Sequence, residues 1–184
     1  MSATDIAVMI EPNQSIAGLE TIRYRVSECL LGSVAIAARG RGVCAILFGD
    51  DKIALEADLA TRFPTATLIE GDRDFDRLAD AVARFIDQPD STVDFSLDPS
   101  GTDFQRRVWR ALRAIAPGTT ASYKDVAIRI GAPKAVRAIA RACAANPIAV
   151  AIPCHRVVRS DGSMSGYRWG TARKRMLLER EAKS

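Results

Sequence analysis

Between Thr21 and Ser27 apolar and polar residues alternate, with Ile22, Tyr24 and Val26 on one side of an extended chain and Arg23 and Arg25 on the other. A period of two predicts a β-strand. Gly32 to Ala38 and Val43 to Phe48 are apolar runs bounded by glycines, which predicts two more strands with Arg39-Gly40-Arg41-Gly42 as the turn. The period then lengthens. Ile53, Leu55, Leu59 and Phe63 have helical spacing over Asp51 to Phe63, and Pro64 follows its end. Leu78, Val82, Phe85 and Ile86 mark the inner face of a second helix, Phe75 to Ile86. Val93, Phe95 and Leu97 alternate as a short strand. Residues 1–19 read as a tail or extended lead-in.

Asp98-Pro99-Ser100-Gly101 is a turn signal and divides the chain into segments 20–97 and 98–184. The second segment reads as helical. Phe104, Val108, Leu112 and Ile115 form a core stripe, with Arg106, Arg110 and Arg113 on the opposite face. Pro117-Gly118 stops that helix, and Ser122 is placed to cap the next, Tyr123 to Ile130. Gly131-Ala132-Pro133 then turns the chain into a helix from Lys134 to Ala145. Two short helices across a glycine-containing turn make a helix-turn-helix pattern. The second of them is rich in alanine around Arg137 and Arg141. Alanine serves helix stability, or it lets a backbone approach a groove closely, and the pattern fits both.

Charge sharpens the division. Residues 1–97 hold 9 Lys/Arg against 16 Asp/Glu, a net −7, and residues 98–184 hold 17 against 6, a net +11. The second half alone therefore fits an anionic partner, nucleic acid first, or else a well-solvated basic surface. Of the 184 residues, 48% are hydrophobic and 26% charged, as in soluble globular proteins. The longest uncharged stretch, Ala142 to Cys154, is too short to span a bilayer and is interrupted by Asn146, Pro147 and Pro153. The N-terminus carries Asp5 and Glu11 and does not read as a signal peptide. A cytoplasmic or bacterial nucleoid-associated protein is expected, with no membrane partner.

The cysteines are Cys29, Cys44, Cys143 and Cys154, with no CxxC pair, and the sole histidine is His155. Neither a zinc site nor a disulfide framework is expected from such scattered positions. Cys29, Cys44 and Cys143 read as buried small apolar residues. Cys154 differs, because it stands in Ile152-Pro153-Cys154-His155-Arg156-Val157. A thiol is nucleophilic as the thiolate, and a neighbouring histidine and arginines favour that anion. Adjacent residues point in different directions, so direct contact between Cys154 and His155 is not assured, and a water can bridge them.

From about Thr102 onward the chain closely resembles the O6-alkylguanine-DNA alkyltransferases. The residues that carry the likeness are Ser122-Tyr123, Pro133-Lys134-Ala135-Val136-Arg137-Ala138, Asn146-Pro147, Ile152 to Val158, Ser165-Gly166-Tyr167-Arg168-Trp169-Gly170, and Leu177-Leu178 through Glu181. The Gly-Tyr-Arg-Trp-Gly form is most similar to the C-terminal half of the bacterial adaptive-response regulators of the Ada type. Residues 21–97 resemble the N-terminal subdomain there, including Gly42-Val43-Cys44-Ala45-Ile46. The resemblance implies an α/β N-terminal subdomain, a small antiparallel sheet plus helices of ribonuclease H-like type. A mostly helical, winged-helix-like DNA-binding domain with the helix-turn-helix follows it. Those regulators carry a zinc-cysteine domain and an AraC-type region ahead of this part. Neither is within these residues, so the resemblance implies no transcription activation or phosphotriester repair for this chain. Some family members bind zinc in the N-terminal subdomain, which a chain with His155 as its only histidine does not favour.

The resemblance also implies roles. Cys154 is the acceptor of the alkyl group, once and irreversibly, from O6-alkylguanine and also O4-alkylthymine in double-stranded DNA. His155 takes the thiol proton through water, Glu181 polarises the imidazole, and Asn146 orders the site. Tyr123 donates to the departing guanine and contacts the neighbouring phosphate. The main-chain carbonyls of Cys154 and Val157 accept from the guanine amine, and the loop from Ser160 to Arg168, with Tyr167, closes the pocket. Arg137 fills the gap left by the flipped nucleotide, and Gln105, Ala138 and Ser160 join it at the DNA. No cofactor or metal is implied, and a monomer is expected. Two other readings stand beside this one. Alkyltransferase-like proteins bind lesions on this fold without the acceptor cysteine, which Cys154 argues against. A cysteine hydrolase would leave the basic half unexplained. Glu181 as a solvated helix-end residue, Asn146 as a helix cap, Tyr123 as core packing and Arg137 as a plain phosphate contact are the corresponding alternatives for single residues.

Overall fold

The computed structural model describes residues 20–40, 42–88 and 93–183. The lead-in 1–19, Arg41 of the expected turn and Ser184 lie outside them. Strands β1 (Thr21–Cys29), β2 (Gly32–Arg39) and β3 (Gly42–Gly49) form an antiparallel meander in the expected places. β2 and β3 are buried on both faces, which is why they read as continuous apolar runs rather than alternating ones. Helix α1 (Lys52–Arg62) packs on β2 and β3, and α2 (Arg73–Asp87) packs on β1. Each starts at an aspartate whose carboxylate accepts a backbone N–H of the first turn: Asp51 from Ala54 at 2.8 Å and Asp72 from Phe75 at 3.0 Å.

The sheet is mixed rather than antiparallel, which corrects the expectation. β4 (Thr67–Glu70) joins its edge parallel to β1, giving the order β3-β2-β1-β4. Four residues, mostly exposed, carry no periodicity that would have marked a strand. The strand expected over 93–97 does not form either. The chain there meets β3 once, where Val43 N–H donates to Ser96 and Asp98 N–H to Val43. The reason is competition for one edge. A few residues further along β3, Ile46 N–H donates to Pro147 O at 3.0 Å and Ala149 N–H to Ile46 O at 3.0 Å. The end of the first half and a segment of the second thus share β3, and neither extends along it. The apolar cores of the two halves form one continuous cluster.

In the second half α3 (Asp103–Arg113) opens on a Thr102–Gln105 capping box. Trp109 Nε1 donates to Ala142 O at 2.9 Å and fixes α3 against α5 (Val136–Ala144). Helix α4 (Tyr123–Arg129) and α5 pack together across the turn 130–135, the helix-turn-helix order anticipated. α5 begins at Val136 rather than Lys134, because Pro133 and Lys134 lie in a turn closed by Ala135 N–H on Ala132 O at 2.9 Å. A two-stranded parallel pair had no sequence signal. β5 (Ala121–Ser122) bonds β6 (Val157–Val158), just after the one-turn 3₁₀ helix Cys154–Arg156. This pairing brings the N-terminus of α4 beside the cysteine turn. Helix α6 (Thr171–Glu181) closes the chain against that turn. Among the described residues no helix is long and apolar enough to cross a membrane.

Candidate active site around Cys154

The segment 146–154 is a tight series of turns, and Asn146 holds it. Its side-chain oxygen accepts from Ile148 N–H at 3.0 Å, and its amide nitrogen donates to Ile152 O at 2.8 Å and to Cys154 Sγ at 3.2 Å. The amide is thereby committed on both its oxygen and its nitrogen, and Asn146 is fully buried. This is a bracing role for the reactive turn rather than a cap on α5, whose terminal carbonyls are met by backbone N–H groups of Ala145 and Asn146. Within the turn Val150 adopts φ of 63°, a left-handed conformation that β-branched residues seldom take.

Cys154 Sγ is almost wholly buried, and burial pushes its pKa up to about 11. The Asn146 donor and the positive field of Lys174 pull the other way without overcoming it. The resting group is therefore the thiol. The expectation that neighbouring arginines favour the thiolate fails for a geometric reason. Arg156 turns away, its guanidinium committed to Glu181 at 2.9 to 3.1 Å and to Ile115 O.

Glu181 gathers the other side of the site. Besides Arg156 it receives His155 Nε2 at 2.7 Å and Gly118 N–H at 3.4 Å. Burial opposes ionisation of this carboxyl, but the His155 and Arg156 donors win and hold its pKa down at about 2. An ionised carboxylate only accepts, so the imidazole proton is assigned to Nε2 and Nδ1 presents a bare lone pair. Nδ1 is buried and has no hydrogen-bond partner within the protein. Burial pushes the His155 pKa down, which keeps the ring neutral and its lone pair available. A neutral base that follows a protonated thiol in sequence can receive the thiol proton through one water.

Tyr123, the first residue of α4, donates its hydroxyl to Ser165 Oγ at 2.8 Å. Ser165 in turn donates to Val157 O at 3.2 Å, and the buried Lys174 ammonium donates to Ser165 Oγ at 2.9 Å and Val157 O at 2.6 Å. Tyr167 stands edge-to-face with His155, ring centres 6.4 Å apart, and with Trp169 at 5.2 Å. The Tyr167 hydroxyl and the Trp169 indole N–H are both buried without a partner. The fold therefore brings Cys154, His155, Glu181, Asn146, Tyr123, Val157 and Tyr167 into one region.

The remaining expected residues lie outside it. Arg168 pairs with Asp58 of α1 at 2.9 Å and so ties the loop 159–170 to the first half. Ser160 is exposed in that loop, Arg137 is exposed on α5, and Ala138 beside it is half-buried. Gln105 spends its side-chain oxygen on Thr102 N–H at 2.8 Å. Sequence reasoning missed Arg156, Ser165 and Lys174. A signal existed for Lys174: with Leu177 and Glu181 it occupies the i, i+3, i+7 positions of the buried stripe of α6.

Comparison with known proteins agrees with this geometry. The family model described as "6-O-methylguanine DNA methyltransferase, DNA binding domain" matches residues 103–183. The chain belongs to the methylated-DNA–protein-cysteine methyltransferase family. It is 37% identical over 160 residues to the methyltransferase of that name from Methanosarcina barkeri, covering 86% of this chain and 96% of that one. It is 49% identical over 163 residues to the bifunctional transcriptional activator/DNA repair enzyme Ada of Escherichia coli. That match takes in 89% of this chain and 46% of Ada, so the chain spans less than half the length of this relative. Among solved structures, Mycobacterium tuberculosis OGT in complex with DNA superposes with a TM-score of 0.73 at 33% identity, over 89% of this chain and 93% of that one.

Proposed function

We propose that this chain repairs O6-alkylguanine, and O4-alkylthymine, in double-stranded DNA by moving the alkyl group irreversibly onto its own Cys154. One observation carries the reading. A buried thiol held by Asn146 is followed in the same one-turn helix by a histidine whose Nε2 is fixed on Glu181 and whose Nδ1 is left without a partner. In this scheme His155 Nδ1 takes the thiol proton, the sulfur attacks the alkyl carbon, and the C–O bond breaks toward guanine. Tyr123 supplies a hydrogen bond or proton to the purine anion that departs. The product is a thioether, whose carbon–sulfur bond is stable to water, so each molecule reacts once. A target atom inside a stacked duplex requires base flipping, which costs a few kcal/mol. Arg137, exposed on α5, is assigned to the vacated stack, with Ala138, Ser160 and Gln105 near the backbone. Tyr167 and the 160–168 loop border the base, and Arg168 secures that loop. Residues 20–97 then form a ribonuclease H-like subdomain and 98–184 the winged-helix-like catalytic unit. A cytoplasmic monomer without cofactor completes the proposal.

The test is intact mass after incubation with an O6-methylguanine duplex. One methyl is expected on the peptide bearing Cys154. Cys154→Ser should remove the transfer while DNA binding persists. Methyl on Cys29, Cys44 or Cys143 would overturn the assignment.

A further inference from the structure

The hydroxyl of Ser165 is saturated. A serine hydroxyl has one proton and two lone pairs. The proton goes to Val157 O, and the lone pairs receive Tyr123 O–H and Lys174 Nζ. Val157 O is saturated too, since Lys174 Nζ fills its second lone pair. Ser165 is more than nine-tenths buried, so this is a closed circuit rather than a surface contact.

Two of these partners are groups to which the alkyl-transfer reading gives the base, and the inference rests on that reading. A guanine presents an acceptor, N3, next to a donor, the 2-amine, along one edge. Ser165 presents the same pair from a single atom: it accepts from Tyr123 and donates to Val157 O. Tyr123 has one hydroxyl proton and cannot give it to Ser165 and to N3 together. Val157 O has no free lone pair for the 2-amine while Ser165 and Lys174 hold both. Base entry and the present Ser165 position are therefore mutually exclusive at two hydrogen bonds.

We propose that Ser165 is a placeholder for the guanine edge. With no base bound, its hydroxyl keeps a half-buried phenol and a buried carbonyl satisfied, and an incoming base must evict it to claim both. Leaving such groups unsatisfied in a buried site is costly. The placeholder thus stabilises the empty pocket and at the same time weakens capture of any base that cannot replace both bonds. Ser165 is on this account a specificity-determining residue, although it makes no bond in the reaction. Gly166, next along the loop, borders open space on its side-chain side, its chain neighbours aside.

The experiment measures the second-order rate of Cys154 methylation by free O6-methylguanine base, which pays no flipping penalty, in the wild type, Ser165→Ala and Ser165→Gly. A placeholder predicts that both variants react faster, by about fivefold, the equivalent of about one net hydrogen bond no longer displaced. A residue that merely positions Tyr123 or Lys174 predicts the opposite sign. Rates that are unchanged or slower in the variants overturn the proposal. Methylation of each variant by an O6-methylguanine duplex, followed by mass, verifies folding and chemistry in the same samples. Ser165→Gly keeps the test open if the alanine variant folds poorly. If the wild type itself acquires no methyl from either substrate, the alkyl-transfer reading fails, and that result is distinct from a wrong sign in the variants.

Discussion

The two halves of the molecule bury different things. In residues 20–97 the interior is hydrocarbon, with Ile22, Val34, Ile36, Ile46, Leu55, Leu59 and Phe75 almost wholly enclosed. Its ion pairs, such as Lys52–Glu70 and Arg25–Asp76, lie partly open to solvent, although Nε of Arg25 and of Arg62 is buried without a partner. In the second half the interior holds Asn146, His155, Arg156, Ser165, Lys174 and Glu181, which are all the buried polar and charged residues among those described. Burying such groups is unfavourable unless each is met by partners, and nearly every one here is. Among these six residues His155 Nδ1 lacks a partner, next to the thiol in sequence, and the Tyr167 hydroxyl and Trp169 indole N–H are further unpartnered groups of this half. The first half thus supplies an apolar platform, while the second keeps charge and proton acceptors enclosed.

The contrast yields predictions of decreasing size. Glu181→Gln strikes the polar half at its centre, because it leaves Arg156 enclosed without its counter-ion. A stability loss of about 3–5 kcal/mol is expected in chemical denaturation, together with slower methyl transfer per folded molecule. A loss below about 1 kcal/mol would mean that the Arg156–Glu181–His155 cluster holds little of the fold. Leu59→Ala strikes the apolar half. It should cost about 2–4 kcal/mol through lost burial and a residual cavity. The rate of transfer by the molecules that remain folded should not change, and a parallel fall in that rate would dissolve the division of labour.

Acid should separate the halves next. The His155 pKa is lowered on folding, so the unfolded chain binds a proton that the folded one refuses. Its stabilising contribution is present above the unfolded value near ~6.5 and is lost as pH falls below it. The Glu181 pKa is also lowered, to about 2, so its contribution is present above the unfolded value and is lost as pH falls toward 2. Melting temperature should therefore drop in two stages on acidification. Glu181→Gln should remove the lower stage. A wild-type profile flat from pH 7 to 4 would contradict the His155 assignment, and one flat from pH 4 to 2 the Glu181 assignment.

The smallest effect belongs to the tie between the halves. Arg168 and Asp58 are each about one-third exposed, 33% and 32%, so Arg168→Ala should change stability by no more than ~1 kcal/mol. If transfer nonetheless slows several-fold, the loop 159–170 depends on the first half for its placement, and the platform does more than stabilise.

Much of this was legible along the chain. Periodicity located β1, β2, β3 and the helices α1 to α4 within a few residues, because each element carries its own apolar face or run. It failed at β4, where four mostly exposed residues pair by backbone alone, and at 93–97, where alternation was real but the edge it needed was shared with 147–149. The Cys154–His155 motif and its family resemblance pointed to a nucleophile and its base. They did not indicate that the resting thiol is protonated, since that follows from enclosure and from Arg156 turning toward Glu181.

Local content is written along the chain: where most strands and helices form, which half is basic, and which residue types are available for chemistry. These follow from side-chain periodicity, capping and charge count, all of which act over a few neighbouring positions. Only the tertiary structure decided the partners. Glu181 reaches His155 and Arg156 from the last turn of α6, and Ser165 meets Tyr123 from 42 positions away. Such contacts depend on how helices pack and on which strand edge is free, and protonation is settled only afterward by burial and by the donors that happen to face each group.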